Sequence, residues 1–398
     1  MSLHRFLKLN GLRKIIAVQA TLAISTSFYP CLAIEKPKPG SPSTNDELKK
    51  ITQSLKRKPN DISLLNRRAV ALIGLSRYAD AEQNCKEILS TSPKNIEALN
   101  NLAWALNEQG RHDQAIKVCN SALAIAPNNA SFYFSRGCAY YAKGDCAKAV
   151  KDFDKCIEIH PAWSNAYYQR ARCNGTLGHY QKEIDDTTSS LKYKPKWAAA
   201  LKLRGYAKYQ LDQYDSAVAD LNKSIELDPF DAWAHKTLGS VYEAMNNHKK
   251  SIESYGAAIK LRPDFAYAYA GRGCAKNNLE DFEGALADTN KAIQLEPGDS
   301  WYFGCRGYAK AGLKDFKGAI DDFTRSLDLS PDDGWTYVQR SKARFAMGDA
   351  KGFTDFAAAF EIANRDGKTK VNQTVTQQVT KGAERLKGAI DSLFNGMK

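Results

Sequence analysis

Beyond residue 33 this sequence lacks any apolar run of the roughly 20 residues that a membrane-spanning helix needs, so no transmembrane segment is expected in the body of the chain. Histidine is scarce, and His4, His112, His160, His179, His235 and His248 show no metal-ligand spacing. No segment alternates as a strand would, and so no glycine-rich phosphate loop follows a strand. Nothing gathers a cysteine–histidine pair or two carboxylates into a catalytic constellation. These absences point to a non-enzyme with no catalytic residue, no metal and no cofactor. Proline is missing too, except from one series. Downstream of Pro42 every proline belongs to Pro59, Pro93, Pro127, Pro161, Pro195, Pro229, Pro263, Pro297 and Pro331, each 34 residues after the last. A strict period of this size means stacked repeats, each too small to bury its own apolar face alone.

The net charge of +13 is unevenly spread. Residues 1–34 and residues 35–60 carry +4 each, which leaves +5 for the rest. The basic character therefore lies mostly ahead of the repeats. No basic stripe marks one face of the array, and no nucleic-acid partner is expected. Residues 1–33 have the layout of a signal peptide: a basic stretch from Arg5 to Lys14, the apolar run 15–24, and small residues around Cys31-Leu32-Ala33. This predicts export to a periplasm or beyond the cell, with the cytoplasm as the alternative. Residues 34–45, with Pro37, Pro39 and Pro42, read as a flexible linker. The repeat array is expected over 46–360, and 361–398 is read as a tail.

With proline as position 32, eight full units run 62–95, 96–129, 130–163, 164–197, 198–231, 232–265, 266–299 and 300–333. Half a unit precedes them, and a ninth begins at Gly334 and loses the pattern. Apolar residues recur at helical spacing in both halves of each unit, predicting two helices, A and B. Between them, position 15 holds residues that tolerate the left-handed conformation ending a helix: Gly110, Gly144, Gly178, Asp212, Asn246 and Gly348. Position 8 is always Ala or Gly, and position 20 is Ala in six of the eight units, so the two helices should cross closely there. Unit four departs, with Glu183 and Thr187 where Ala and an aromatic are usual.

A second recurrence concerns charge. Position 7 is Arg136, Arg170, Arg204, Arg272 and Arg306, and in the same units position 23 is Asp152, Asp186, Asp220, Asp288 and Asp322. Where position 7 is Leu102 or Leu238, position 23 is Val118 or Ser254. Charge at one place accompanies charge at the other. The expectation is a partly buried, bidentate Arg–Asp pair between helices A and B, structural in role.

The small residue at 8, Ala at 20, the aromatic near 24 (Phe153, Tyr255, Phe323) and Pro at 32 resemble the tetratricopeptide repeat over about residues 45–360. The resemblance implies an all-α fold, a right-handed superhelical α-solenoid of helix–turn–helix repeats, serving as a protein-interaction scaffold. It also implies that positions 2, 5, 9 and 12 of the A helices line a concave groove. Those positions carry Trp104, Phe134, Tyr141, Tyr168, Arg172, Lys202, Tyr206, Tyr209, Trp233, Lys236, Tyr267, Trp301, Tyr308 and Trp335. An aromatic, mildly basic lining fits an extended peptide or a partner helix; a carbohydrate-associated scaffold of the cell envelope is the alternative. The family's carboxylate clamp pairs Lys at 5 with Asn at 9. Here Lys202 precedes Tyr206 and Lys236 precedes Ser240, so that clamp is absent.

Cysteine is plentiful, yet the register speaks against disulfides. Cys85 and Cys119 share position 24 of neighbouring units, where stacked helices lie about 8–10 Å apart. Cys146 and Cys156 stand on one helix, and Cys156 reads as a buried free thiol. After the array, Val371, Val375, Val379, Ala383, Leu386, Ile390 and Leu393 form one helical stripe, expected to be an amphipathic helix capping the open end of the stack.

Overall fold

The computed structural model describes residues 42–365, and all regular structure among them is α-helical. One compact unit reaches to Asp228 and a second begins at Pro229. The first contains α1 (Pro42–Arg57), α2 (Ile62–Gly74), α3 (Tyr78–Thr91), α4 (Ile96–Glu108), α5 (His112–Ile125), α6 (Ala130–Ala142), α7 (Cys146–Ile159), α8 (Ser164–Thr176), α9 (Tyr180–Tyr193), α10 (Ala198–Gln210) and α11 (Tyr214–Leu227). The second contains α12 (Ala232–Ala244), α13 (His248–Leu261), α14 (Ala266–Asn278), α15 (Phe282–Leu295), α16 (Ser300–Gly312), α17 (Phe316–Leu329), α18 (Gly334–Ala346) and α19 (Gly352–Arg365). Within each unit every helix packs on its neighbours in sequence, giving a solenoid of stacked pairs. Two boundaries differ from expectation. Helix α1 starts at Pro42, inside the segment read as linker, since proline suits the first turn of a helix. Helix α19 runs to Arg365, past the expected end at 360. The leader 1–33 and the capping stripe 371–393 lie outside the described residues.

Repeat chemistry explains the period. Each A helix ends on a position-15 residue with positive φ, from Gly144 at 81° to Asn246 at 58°. Ser76, Glu280 and Lys314 also adopt this conformation without being glycine. Position 34 caps the next A helix where it is Asp or Asn; Asp231 accepts from the amides of Trp233 and Ala234. Positions 8 and 24 are matched in size. Where 24 is Phe153, Tyr255 or Phe323, position 8 is Gly137, Gly239 or Gly307, and a Cβ on Gly137 would lie 2.9 Å from the Phe153 ring. Where 24 is Cys85 or Cys119, position 8 is Ala69 or Ala103. The helix pair thus keeps its spacing while the residues exchange volume.

The arginines do more than pair within a unit. Arg136 donates Nε and Nη2 to the two oxygens of Asp152 at 2.9 and 2.7 Å, and its Nη1 crosses back to Asn120 of the preceding repeat at 2.6 Å. Arg170 reaches Asp154 in the same way, Arg204 reaches Thr188, and Arg306 reaches Asn290. The guanidinium also lies over the position-4 ring, 5.5 Å from Tyr133 for Arg136 and 5.7 Å from Tyr269 for Arg272. One side chain therefore ties A to B and one repeat to the next. Two members of the series escape the sequence pattern. Arg68 donates to Asn84, a neutral acceptor at position 23. In the last repeat Arg340 binds Asp355 at 3.0 and 2.7 Å, although Asp355 stands at position 22. Helix α19 starts two positions late and turns that aspartate into the site.

Unit four is not loosely packed as its odd residues suggest. Glu183 is 1% exposed, Thr187 is wholly buried, and a Cβ on Gly175 would lie 2.6 Å from the Glu183 carboxyl. Gly175 therefore makes the room that Glu183 fills. Its Oε2 has no hydrogen-bond partner, and burial holds the carboxyl well above the usual carboxylate range.

Two expectations follow. Asp152 takes no second cation among the described residues, whereas Asp220 keeps Lys208 at 2.7 Å when Arg204 is removed. Arg136→Ala should therefore cost about 3 kcal/mol, and Arg204→Ala about half of that, read as a larger drop in melting temperature for the first. Glu183 loses its proton at its ordinary pKa when unfolded but keeps it when folded. Its contribution to stability is thus present in acid and fades as pH rises above about 4.5. Glu183→Gln should melt progressively higher than wild type as pH is raised above about 5; a constant gap would contradict the buried neutral carboxyl.

Candidate functional site

The A helices present the fourteen residues expected to line the groove, and the structure divides them. In the first unit Trp104, Phe134 and Tyr168 are buried. Phe134 packs edge-on against Phe153 and stacks on Trp163 at 4.8 Å. Tyr168 lies 4.4 Å from Trp197. These three are core residues, a correction to their placement on an open lining. Tyr141, Arg172, Lys202, Tyr206 and Tyr209 remain partly exposed. The Arg172 guanidinium covers the Tyr141 ring at 4.5 Å. Burial pushes the Tyr206 hydroxyl well above its ordinary range, and Tyr180 stands 6.5 Å away.

In the second unit Trp233, Tyr267, Trp301, Tyr308 and Trp335 are partly exposed and Lys236 is buried. Tyr308 stacks on Trp335 at 6.1 Å and lines a cavity of about 250 Å³ with Phe282, Phe323 and Lys342. Lys236 forms the densest group. Its ammonium sits 4.1 Å from the Tyr267 ring and 5.4 Å from Trp233, and the residue as a whole is only 6% exposed. Trp301 backs Tyr267 at 4.9 Å, and Phe265 backs Trp233 at 4.9 Å. Among the described residues no acid pairs with Lys236, and burial draws its pKa down to about 8. Glu243, the nearby acid of α12, is occupied by His248 at 3.1 Å and Asn278 at 2.7 Å.

Reading the sequence missed three ring residues, Trp163, Trp197 and Phe265. All stand at position 34, where other repeats have Asp or Asn, and none caps its helix by a side chain. A signal existed: repeats whose position 34 is Asp231, Asp299 or Asp333 carry Trp233, Trp301 or Trp335 two positions into the helix register instead. The same stretch of chain supplies an aromatic from either side of the helix start. The missed disulfide is a second correction. Cys274 and Cys305, at positions 9 and 6 of adjoining A helices, are bonded with Cα atoms 5.7 Å apart. Reasoning from equivalent positions overlooked this diagonal. Cys85, Cys119, Cys146, Cys156 and Cys173 are free and buried. Among the described residues no helix is long and apolar enough to cross a membrane.

Family models match several stretches. A tetratricopeptide repeat model covers residues 72–133, a TPR repeat model covers 205–246, and a second tetratricopeptide repeat model covers 130–162 and 237–265. No curated protein matches the chain. Among solved structures, the APC/C hetero-tetramer Cut9-Hcn1 is similar at a TM-score of 0.53 and 20% identity, covering 75% of this chain. This chain spans only 59% of that one. A tetratricopeptide repeat protein from Parabacteroides merdae is similar at a TM-score of 0.50 and 19% identity, covering 62% of this chain and 98% of its own. At these identities the likeness is one of fold. Repeat period, paired helices, crossing residues and these matches agree: the chain is a tetratricopeptide repeat protein.

Proposed function

We propose that this protein is a non-catalytic interaction scaffold whose second unit binds an extended peptide segment carrying a carboxylate. The fold supports a protein-interaction role in general; the observation that carries the finer reading is Lys236. Removing an ammonium from water costs several kcal/mol, and two ring faces return about 1–2 kcal/mol of that. A side-chain or terminal carboxylate would supply the missing partner, and Trp233, Tyr267 and Trp301 would flank its neighbours as rigid apolar anchors. This is one ammonium in an aromatic box, not the two-lysine clamp absent from the sequence. We also place the protein in an oxidising compartment outside the cytoplasm. That reading rests on the signal-peptide layout of residues 1–33 together with the Cys274–Cys305 bond.

Selection from a random peptide display library tests the binding reading. Enriched peptides should contain Asp or Glu, and Lys236→Met should weaken them at least about tenfold, equivalent to about 1.4 kcal/mol. Circular dichroism confirms that the variant folds. Affinity should fall as pH rises through about 8, because the ammonium that receives the carboxylate is then lost. Peptides that bind wild type and Lys236→Met equally, with no pH dependence, would remove the site. Binding of soluble envelope oligosaccharides in place of peptides would favour the carbohydrate alternative.

A further inference from the structure

Three of the free thiols are inert by position. Cys85, Cys119 and Cys156 lie in the helix-crossing core, and burial pushes each up to about 12. Cys146 and Cys173 differ in geometry. Cys146 is the first residue of α7, directly after its N-cap Asp145. Cys173 lies on α8, in the next repeat. Both belong to one core cluster with Phe134 and Phe153, and the two thiols hydrogen-bond to each other across the joint between repeats. The Thr176 hydroxyl also reaches Cys146.

The pair is chemically divided. Its hydrogen bond to Cys173 draws Cys146 down to about 7, while burial holds Cys173 well above the thiol range. Cys146 keeps 4% exposure and Cys173 none. The more acidic, more accessible sulfur is placed to attack, and its partner stands behind it as a resolving thiol. Cys274–Cys305 shows that the spacing of neighbouring repeats in this chain admits a cross-link.

We propose that Cys146 and Cys173 are a redox modification site, at which a disulfide of the glutathione class converts the dithiol into a second inter-repeat cross-link. The Cys146 thiolate attacks one sulfur of glutathione disulfide, forming a mixed disulfide and releasing one glutathione thiolate. That thiolate takes the Cys173 proton. Cys173 then attacks the Cys146 sulfur, closes the protein disulfide and releases the second glutathione thiolate, which takes the proton first lost by Cys146. Two electrons pass from the protein sulfurs to the glutathione sulfurs, and the products are one cross-link and two glutathione thiols. The bond would lock α7 to α8.

The test uses the full chain incubated with glutathione disulfide, quenched in acid, alkylated and digested with trypsin. The expected product is peptide 144–148 joined to peptide 173–182, about 2 Da lighter than the two thiol peptides together. Cys85, Cys119 and Cys156 should remain open to alkylation once unfolded. Cys173→Ser should stop at the first step and accumulate glutathione on Cys146, whereas Cys146→Ser should take up none at Cys173. Wild type in which Cys146 and Cys173 are both alkylated, or in which either is bonded to a different cysteine, would overturn the assignment. So would a persistent mixed disulfide on wild-type Cys146, since it would show that Cys173 does not resolve it.

Discussion

The bidentate pair between position 7 and position 23 is the constraint around which the rest of this fold is arranged. A stack of two-helix units has no long-range contacts to hold it; each unit meets only its neighbours. In such a structure an interaction that acts at once within a unit and across its border sets the geometry of the whole. Arg136, Arg170, Arg204 and Arg306 do this with one planar group. Two nitrogens fix the A–B crossing, the third fixes the step to the preceding B helix, and at Arg136, Arg170 and Arg306 the ring at position 4 covers the face of the guanidinium. Lysine could not reproduce that fork. Buried charge is costly by itself, so its value here is in specifying one register among the many that alternating Ala, Gly and Leu would allow.

Because cohesion resides at the crossing and at the joint, the outward positions of the A helices are free to differ. They do differ, and in a patterned way. The first unit uses rings that turn inward, Phe134 under Trp163 and Tyr168 under Trp197, and closes its surface with aromatic–aromatic packing. The second keeps its tryptophans part-exposed and encloses an ammonium with which no acid pairs among the described residues. A buried cation lacking a counter-ion is a poor structural element, in contrast to the compensated arginines on other A helices. The comparison within one molecule is what separates Lys236 from its neighbours: Lys208, Lys276 and Lys310 each rest on an aspartate at 2.7–2.8 Å.

Most of the architecture was legible because the period repeats each physical requirement many times over. Proline at 32, small residues at 8 and charge covariation between 7 and 23 are local demands, and each recurs at a fixed distance along the chain. What escaped was whatever broke register while keeping the chemistry. Asp355 meets Arg340 from position 22 because α19 begins late, so a search at position 23 finds Phe356 instead. Trp163 and Trp197 exchange a helix cap for a ring at position 34, outside the positions assigned to the groove. Cys274 and Cys305 bond along a diagonal that equal positions do not reveal. The lining was the least legible part, since exposure depends on what lies opposite. Phe134 and Trp301 both occupy groove positions, yet only Trp301 retains solvent.

The cysteines follow the same geometric logic. At the helix crossing, neighbouring equivalents such as Cys85 and Cys119 are held apart by the thickness of a helix, and no oxidant can bring them together without unstacking the repeat. Between adjoining A helices, or between the start of a B helix and the A helix that follows, side chains of successive repeats converge. Cys274–Cys305 exploits the first of these convergences and Cys146 with Cys173 occupies the second. A solenoid bends mainly at its joints, because each joint buries less than the pair it connects. Sulfur placed there acts on the one mechanical freedom the array has, while sulfur in the crossing only fills space.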